Sequence, residues 1–339
     1  MHRGDAFRTF TVLSGGVGGA RFLQGLLHLL GPAARTEEGP AVTVVANTGD
    51  DLWLHGLKVC PDLDTVMYTL GGGIDEERGW GRTGETWQAK EELAAYGVEP
   101  TWFGLGDRDL ATHLLRTQML DAGYPLSAVT TALCERWRPG VRLLPMSDDR
   151  VETHIVVDDA AEPSGRRAIH FQEYWVRLHA QVPARAVVPV GLDASRPAPG
   201  VLEAVRDADV VLLPPSNPIV SIGTIVGVPG VRDALRATTA PVVGLSPVVA
   251  GSHVRGMAAQ LLTALGIEVG AAAVAEHYGA RSSGGLLDGW LVDEADADQV
   301  QRVRDAGIPC RAVPLMMTDP GATAAMAQAA LDLAAEVRG

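Results

Sequence analysis

The sequence predicts an α/β protein with a mostly parallel sheet and a largely helical subdomain inserted into it. The first observation is a short apolar strand at residues 9–13, which runs into a glycine-rich stretch and then into helical apolar spacing over residues 21–30. The second is the apolar, β-branched stretch at residues 41–46, typical of a strand covered by helices on both faces. The third is the alternation of strands and helices in the second half of the chain.

The elements follow in order from this pattern. The first two strands form a βαβ unit, whose crossover is expected to be right-handed. The next segment has no clear strand and predicts a helical insertion over the sheet edge, with helices at residues 64–70, 86–96, 110–121 and 126–137. Short strands resume at residues 153–157 and 168–171. Strands at residues 186–190, 210–213 and 241–245 alternate with helices at residues 200–206, 230–237 and 254–265. A strand at residues 289–292 and helices at residues 297–306 and 320–337 complete the chain.

Length and charge limit the classes of function. A chain of 339 residues predicts one large domain or two coupled ones. Its 41 acidic and 28 basic residues give a formal net charge of −13, which repels the phosphate backbone of nucleic acids. Nucleic acid is therefore not an expected partner. An acidic protein that handles small phosphates needs local arginines, backbone amides or a bridging cation.

Cysteine usage and hydropathy predict a cytoplasmic protein. Cys60, Cys134 and Cys310 are far apart and show neither metal-ligand nor disulfide spacing, which fits a reducing compartment. The polar stretch at residues 1–10 lacks the apolar core of a signal peptide, and no later apolar run is long enough to span a bilayer. A membrane is therefore not an expected partner either.

Four glycines mark the turn from the first strand into the first helix. They are Gly15, Gly16, Gly18 and Gly19, in the segment SGGVGGAR at residues 14–21. Residues without a Cβ let backbone amides close around a pyrophosphate, and the helix N-terminus adds a favourable dipole. The match to the dinucleotide fingerprint is imperfect because Arg21 stands at the third glycine position. A tight turn without a ligand explains the cluster nearly as well, but ligands of open α/β sheets bind at this end of the strands.

Carboxylates follow the second strand and open the next helix. The second strand ends at Asn47, with Asp50 and Asp51 shortly after it, so the terminal acid of a nicotinamide-dependent dehydrogenase is missing. Asp62 and Asp64 flank a predicted helix start. Carboxylate oxygens suit Mg²⁺, although an acid at a helix start can also act as a cap. We assign capping to Asp62 and metal binding to Asp64.

Two further clusters carry polar and aromatic side chains. Residues 105–109 (LGDRD) hold Asp107 and Arg108 on a turn before a helix, where they could bind a ligand or form a solvated cap. Residues 170–175 (HFQEYW) place aromatic rings beside hydrogen-bonding groups, a mixture that can hold a planar heterocycle. Core packing of Phe171 and Trp175 is an equally ordinary explanation.

A second polar loop follows the strand at residues 210–213. It contains Ser216, Asn217, Ser221 and Gly223, which could bind a base, a ribose or a phosphate. The structural alternative is an Asn-Pro turn that precedes a helix.

Seven motifs in this order closely resemble the phosphate-transferring family of coenzyme F420 biosynthesis. Its members are the 2-phospho-L-lactate transferases and their actinobacterial counterparts, the phosphoenolpyruvate transferases. The motifs are SGGVGGAR, NTGDD, CPDLDT, GLGDRDLATH, PMSDD, HFQEYW and PSNPIVSIG. The resemblance extends from Val12 to the LMMTD segment at residues 315–319.

The resemblance implies a fold and a reaction. It implies a Rossmann-like nucleotide-binding core at residues 1–60 and 140–339, with residues 61–139 as a mainly helical insertion covering the acceptor site, in a homodimer. The reaction takes a guanosine diphosphate linked to enolpyruvate or lactate. It passes the phosphorylated acid to the ribityl hydroxyl of the deazaflavin Fo (7,8-didemethyl-8-hydroxy-5-deazariboflavin) and releases GMP. The actinobacterial character of the sequence favours the enolpyruvyl donor, and the product is then dehydro coenzyme F420-0.

The resemblance also implies roles for individual residues. The nucleotide-binding set is Gly15, Gly16, Gly18, Gly19, Asn47, Ser216, Asn217, Ser221 and Gly223. Asp64 and Asp50 are the expected Mg²⁺ ligands, and the catalytic set is Asp64, Asp50 and Arg108, with Arg21 as an alternative cation. The expected Fo-binding residues are Asp64, Asp107, His170, Gln172 and Trp175.

Two other functions compete with this one. A regulatory protein of the same fold that binds nucleotide sugars, similar to the gluconeogenesis factors, would share the glycine loop and the SNP turn. We would not expect it to contain both GDRD and HFQEYW. A nicotinamide-dependent oxidoreductase is suggested by the glycine loop alone and lacks the acid at the second strand end.

Overall fold

The computed structural model describes residues 7–36, 38–253 and 257–338. The α-helices of the described chain are α1 (Val17–Leu30), α2 (Pro61–Leu70), α3 (Gln88–Ala95), α4 (Asp109–Asp121), α5 (Leu126–Trp137), α6 (Val201–Arg206), α7 (Ile222–Gly227), α8 (Val231–Ala237), α9 (Ala258–Ala264), α10 (Ala271–Tyr278), α11 (Val300–Asp305) and α12 (Pro320–Val337). The strands are β1 (Thr9–Ser14), β2 (Ala41–Ala46), β3 (Leu52–Leu54), β4 (Leu57–Val59), β5 (Arg142–Pro145), β6 (Glu152–Asp158), β7 (Arg166–His170), β8 (Ala184–Val190), β9 (Val210–Leu213), β10 (Val242–Leu245), β11 (Val248–Val249), β12 (Ser252–His253), β13 (Gly289–Val292) and β14 (Cys310–Ala312).

A seven-stranded parallel sheet forms the centre of the fold. Its order is β14-β13-β10-β9-β1-β2-β5, and every neighbouring pair is parallel. The chain moves outward from β1 in both directions, so the loops after β1 and β9 leave neighbouring strands where the order reverses. Crevices at such reversals are the usual ligand sites of open α/β sheets. The predicted α/β, Rossmann-like fold is confirmed.

The central strands are apolar throughout because helices cover both faces of the sheet. Val12 and Val44 belong to one hydrophobic core, whereas the next residues along the chain, Leu13 and Val45, belong to the other. Successive side chains of a strand point to opposite faces, so a strand covered on both sides needs apolar residues at every position.

One of these faces is covered by two long helices that pass very close together. A Cβ placed on Gly25 of α1 would lie 2.5 Å from the Cβ of Thr323 and 2.6 Å from its backbone carbon on α12. Only a glycine allows this approach, which brings Phe22, Leu23 and Leu26 into the same core as Leu331.

A second, antiparallel sheet lies outside the main one. Its order is β7-β6-β8, and two short hairpins, β3-β4 and β11-β12, accompany it. The sequence placed residues 186–190 among the alternating strands and helices of the parallel sheet, and this was wrong. Val188 and Val190 on β8 are 41% and 50% exposed, which suits the outer strand of a small antiparallel sheet.

The helices α2 to α5 occupy the segment where a helical insertion was predicted. Val66, Met67 and Tyr68 of α2 nevertheless share a core with α1 and the main sheet. The division into a core and an insertion at residues 61–139 stays a prediction.

Some short elements were not predicted, namely β3, β4, β5, β11, β12, β14, α7 and α10. The helix predicted at residues 254–265 begins at Ala258 in the described chain, and residues 254–256 lie outside the described residues. Residues 1–6, which open the polar N-terminal stretch, also lie outside them.

Replacing Gly25 with alanine tests the close helix contact. The new methyl group meets Thr323 side-chain and backbone atoms, so α1 and α12 must move apart. We expect a loss of about 1–3 kcal/mol in the free energy of unfolding, measured in urea, because overpacking outweighs the better helix propensity of alanine. Gly270→Ala is the control, since the nearest atom to its new Cβ is a Gln299 side-chain oxygen at 3.3 Å and no backbone atom lies in the way. Equal stability of Gly25→Ala and the wild type would contradict this explanation.

Candidate active site

A cavity of about 670 Å³ opens at the carboxyl ends of the parallel strands. The glycine loop after β1, the polar loop after β9 and Asp50 after β2 line one part of it. Aromatic side chains, residues 315–318 and the apolar residues Pro247, Met257 and Ala258 line the remainder. The sequence-predicted residues on its wall are Gly15, Gly16, Gly18, Arg21, Asp50, Trp175, Ser216, Asn217 and Ser221.

The glycine loop and the loop after β9 are in direct contact. The Gly15 amide donates to Ser216 Oγ at 3.2 Å. A Cβ on Gly15 would lie 2.6 Å from Ser221 Oγ, and one on Gly18 would overlap the Pro215 carbonyl oxygen. These contacts require glycine at both positions and bring two predicted nucleotide-binding loops to one place.

Asn217 both shapes its own loop and faces the cavity. Its Oδ1 accepts from the amides of Ile219 at 2.9 Å and Val220 at 3.2 Å, which is the Asn-Pro turn considered as the structural alternative. Gly223 lies inside α7, where a Cβ would stand 2.8 Å from the Pro218 carbonyl oxygen. Gly223, Gly19 and Asn47 are absent from the described wall of the cavity.

Asn47 connects the two loops that carry the carboxylates. Its Nδ2 donates to Asp62 Oδ2 at 2.9 Å, while its Oδ1 accepts from the Gly49 amide at 2.9 Å. Asp62 lies directly below the glycine loop, because a Cβ on Gly16 would be 2.5 Å from Asp62 Oδ1. Asp62, at the start of α2, therefore lies beneath the glycine loop and is connected through Asn47 to the loop that carries Asp50.

Burial and neighbouring carboxylates raise the pKa values of Asp50 and Asp62. Burial and then the charges of Asp62 and Asp51 hold the pKa of Asp50 well above its usual range, and the side chains of Asn47 and Thr153 only partly offset this. Burial also raises the pKa of Asp62 to about 7. Two carboxylates held together in this way favour a bound proton or a cation between them.

The pair fits a magnesium ion. Asp50 Oδ1 has no hydrogen-bond partner within residues 7–36, 38–253 and 257–338, so a buried oxygen is available. No group of three or more His, Cys, Asp or Glu in those ranges is arranged to hold an ion unaided. Mg²⁺ commonly binds through one or two carboxylates and completes its shell with waters and substrate phosphates.

Asp62 does not cap α2, so the capping role assigned to it was wrong. Helix α2 begins at Pro61 with Cys60 as its N-cap residue, and no side chain caps it. Asp62 instead accepts from Asn47. Residues two apart on a helix point in different directions, so Asp62 and Asp64 cannot both face the glycine loop.

Asp64 is buried in an ion pair with Arg116 of α4. The His113 Nδ1 lies 3.8 Å from Asp64 Oδ2, and the His113 Nε2 lies 3.3 Å from Asp109 Oδ2. Tyr68 donates to Asp109 Oδ1 at 2.5 Å. Asp64 is not on the described wall of the cavity, and its predicted catalytic and metal-binding roles stay predictions.

Asp107 and Arg108 hold the start of α3 and its preceding loop. Asp107 accepts from Thr86 Oγ1 at 2.5 Å and from the amides of Gln88 and Ala89 at 3.0 and 2.9 Å. Arg108 is exposed and donates to the Thr83 carbonyl at 3.2 Å. Asp107 therefore binds the first amides of α3 rather than capping the following helix α4, whose N-cap Arg108 makes no side-chain capping bond. Neither side chain is on the described wall of the cavity.

His170 and Gln172 support the loop that carries Asp50. His170 Nε2 lies 3.1 Å from the Asp51 carbonyl oxygen, and Gln172 Nε2 donates to the Asp50 carbonyl at 3.3 Å. On the same loop, Asp51 Oδ2 forms a buried ion pair with Lys58 Nζ at 3.1 Å. The two predicted Fo-binding residues thus contact the Asp50 loop and are absent from the described cavity wall.

Three aromatic side chains line the cavity, and one of them was not predicted. Phe171 and Trp175 come from the HFQEYW segment, and Trp80 comes from the loop between α2 and α3. Trp80 is 49% exposed and Trp175 is 38% exposed. A tryptophan in the glycine-rich stretch GGGIDEERGWG was the available signal for Trp80, because such a loop has few core positions for a large ring.

A parallel α/β sheet with a glycine loop, paired carboxylates and a cavity at its strand ends defines a Rossmann-like protein with a ligand site. Residues 10–319 match the family described as 2-phospho-L-lactate transferase CofD. The chain belongs to this family and is a transferase, which confirms the resemblance found in its motifs.

Proteins named phosphoenolpyruvate transferase are similar over nearly the whole chain. One from Streptomyces coelicolor is 66% identical over 327 residues, covering 96% of this chain and 98% of that protein. One from Thermobifida fusca is 63% identical over 328 residues, and one from Mycolicibacterium smegmatis is 61% identical over 327, both with the same coverage.

Solved structures support the fold. Two crystal structures of a Bacillus halodurans protein, one of them described as a member of the UPF0052 family, give TM-scores of 0.61 and 0.60. Each match covers 96% of this chain and 99% of the Bacillus halodurans chain, and the sequence identities are 17% and 18%. Separately, no helix in the described part of this chain is both long and apolar enough to cross a bilayer.

The raised pKa of Asp62 predicts how the stability of the metal-free protein depends on pH. The folded protein keeps this proton up to about pH 7, whereas an ordinary Asp loses it near 3.8. Between these values the folded state binds more protons, so the free energy of unfolding should fall as the pH rises. Urea unfolding in EDTA at several pH values measures this slope.

Asp62→Asn should reduce the slope, and Asp193→Asn, which changes an exposed carboxylate outside the cavity, should not. An unchanged slope in Asp62→Asn between about pH 4 and 7 would show that Asp62 is ionised as an ordinary surface acid is.

Proposed function

We propose that the protein transfers enolpyruvyl phosphate from a guanosine diphosphate-linked donor to the ribityl hydroxyl of Fo. An oxygen–phosphorus bond forms to Fo, the bond between the two donor phosphates breaks, and GMP leaves with release of the hydroxyl proton. The observation that carries the proposal is one cavity lined by a glycine loop, a buried carboxylate and three aromatic rings. The names of the actinobacterial relatives favour enolpyruvate over lactate.

The nucleotide end of the site is the pair of loops after β1 and β9. Backbone amides of the glycine loop and the N-terminus of α1 suit the two phosphates. Ser216, Asn217 and Ser221 line the cavity beside the glycine loop, where they can contact the guanosine. The contact between Gly15 and Ser216 fixes the spacing between these two groups of ligands.

The cation end is the carboxylate pair. We assign Mg²⁺ to Asp50 and Asp62, because Asp62 rather than Asp64 lies below the glycine loop and repels Asp50. When bound, the ion would offset the negative charge of the diphosphate during transfer. Asn47 orients Asp62, and His170 with Gln172 holds the backbone of Asp50 and Asp51.

The acceptor end is aromatic. Trp80, Phe171 and Trp175 give the cavity flat apolar surfaces for the ring system of a deazaflavin. A ring held there would leave its ribityl chain to reach toward Asp50 and the glycine loop. In such a transfer the protein aligns the hydroxyl with the leaving phosphate and excludes water, since phosphoryl transfer needs little covalent chemistry from side chains.

Assigning the cation to Asp50 and Asp62 changes the roles of two predicted catalytic residues. Asp64 acts through Arg116 to hold α2 against α4. Arg108 stays on the outer loop, whereas Arg21 lines the cavity. The homodimer implied by the family stays an expectation.

The reaction itself is tested with Fo, the enolpyruvyl guanosine diphosphate and Mg²⁺. We expect a product with the mass of dehydro coenzyme F420-0 and one GMP per product, followed by mass spectrometry. Donors carrying lactate or glycerate distinguish the three-carbon acids by product mass. Donor binding without any turnover of Fo would overturn the transfer and favour a regulator that only binds nucleotides.

Three substitutions test the metal assignment. Asp50→Asn and Asp62→Asn should each weaken Mg²⁺ binding by more than about a hundredfold, because even outer partners of metal ligands cost ten- to hundredfold when changed. Isothermal titration of the donor-bound protein measures this.

Asp64→Asn is the matched substitution two residues along α2. It leaves the Arg116 charge buried and unpaired, so it should cost about 3–5 kcal/mol of stability while the folded fraction keeps its Mg²⁺ affinity. The reverse result, lost affinity in Asp64→Asn and normal affinity in Asp62→Asn, would restore Asp64 as the ligand.

A further inference from the structure

The cavity has only two charged side chains on its described wall. They are Arg21, near the start of α1, and Asp50, after β2. Every other described residue lining it is glycine, apolar, aromatic or a neutral polar side chain. A ligand with several negative charges therefore meets a single protein cation there.

Other cations close to the site already have partners. Lys58 Nζ lies 3.1 Å from Asp51, and Arg116 is paired with Asp64. Arg108 donates to the Thr83 carbonyl. By contrast, Arg21 forms no hydrogen bond or ion pair with any residue in the described ranges, so its guanidinium is available to a ligand.

Helix geometry directs Arg21 toward the donor. Val17 and Arg21 are four residues apart on α1, so they share one face, and both line the cavity. Side chains of a helix lean toward its N-terminus, which here is the glycine loop. The guanidinium of Arg21 therefore leans toward the end of the helix that opens into the cavity.

A second cavity of about 260 Å³ meets the first at Arg21. Val17, Arg21, Met317 and Thr318 line both, and the second cavity also contains Glu76 and Asp319. Those acids disfavour an anion on that side. An anion bound by Arg21 therefore belongs in the larger cavity, against the apolar side chains of Leu315 and Met316.

We propose that Arg21 binds the carboxylate of the three-carbon acid carried by the donor. This inference rests on the proposed function. The donor has two phosphates and one carboxylate. The glycine loop and the cation proposed at Asp50 and Asp62 serve the phosphates, and the carboxylate is left without a partner. A planar guanidinium forms two parallel hydrogen bonds to a planar carboxylate, and the apolar wall beside it suits the short carbon chain.

Arg21 is then the residue that makes the enzyme specific for phosphorylated acids over neutral phosphate esters. An analogue without the free carboxylate leaves Arg21 unpaired in a partly closed cavity, which costs binding energy. A Lys at this position keeps the charge but loses the paired hydrogen bonds.

The test is a two-by-two comparison of protein and ligand, without Fo so that no turnover occurs. The ligands are the enolpyruvyl guanosine diphosphate and its carboxyl methyl ester, titrated calorimetrically with Mg²⁺ into the wild type and Arg21→Met. Esterification should weaken binding to the wild type by about tenfold to hundredfold and should change binding to Arg21→Met little. The affinity of Arg21→Lys for the free-acid donor should lie between those of the wild type and Arg21→Met.

GDP alone separates this inference from the proposed function. The wild type and Arg21→Met should bind GDP equally, because GDP lacks the carboxylate. Arg236→Met, which removes an exposed arginine on α8 outside the cavity, should match the wild type with every ligand. Circular dichroism checks that Arg21→Met is folded.

Two results overturn the inference. If Arg21→Met weakens the binding of GDP, of the free acid and of the ester by the same factor, Arg21 binds phosphate. If the ester binds the wild type as tightly as the acid does, another group or none recognises the carboxylate. Failure of the wild type to bind GDP or the donor at all would instead reject the proposed function.

Discussion

The close approach of the glycine loop to its neighbours is the constraint on which the rest of the site depends. Backbone at Gly15, Gly16 and Gly18 comes so near to Ser221, Asp62 and Pro215 that a single Cβ at any of these glycines would collide. Three chain segments that follow β1, β4 and β9 are thereby fixed against one another. Asp50, the hydroxyls of Ser216 and Ser221 and the start of α1 then line one cavity, with Asp62 packed against Gly16. Pairing of the parallel strands alone would not fix these segments relative to one another.

The order of the main elements could be predicted from the sequence because it depends on local patterns. The β1 strand, the glycine turn and α1 follow from apolar spacing and glycine placement over two dozen residues. The choice between Asp62 and Asp64 does not follow from such patterns. Two acids separated by one residue on a helix point in different directions. Which of them meets Asn47 depends on how α2 packs against α1 and on the polar contacts that α2 makes with α4. Trp80 likewise reaches the cavity through a long loop whose path no periodic pattern describes.

Charges near the cavity are arranged in two layers. Behind its wall, Lys58 pairs with Asp51 and Arg116 pairs with Asp64, so these cations are neutralised by the fold. Replacing one member of such a buried pair leaves the charge of the other buried and unpaired. A single substitution in either pair should therefore lower the stability of the fold. On the wall itself Arg21 and Asp50 remain. A protein with a net charge of −13 thus provides a weakly charged chamber in which a few groups determine how an anionic ligand is oriented.

The HFQEYW segment has two structural roles. His170 and Gln172 contact the backbone carbonyls of the Asp50 loop, while Phe171 and Trp175 form part of the aromatic wall of the cavity. A change in this segment that enlarges the aromatic wall will also disturb the Asp50 loop. The size of the aromatic surface and the position of Asp50 therefore cannot readily change independently. Trp80 belongs to a different segment and contacts the cavity without supporting Asp50. Relatives that accept ring systems of other sizes should therefore have diverged first in the loop between α2 and α3.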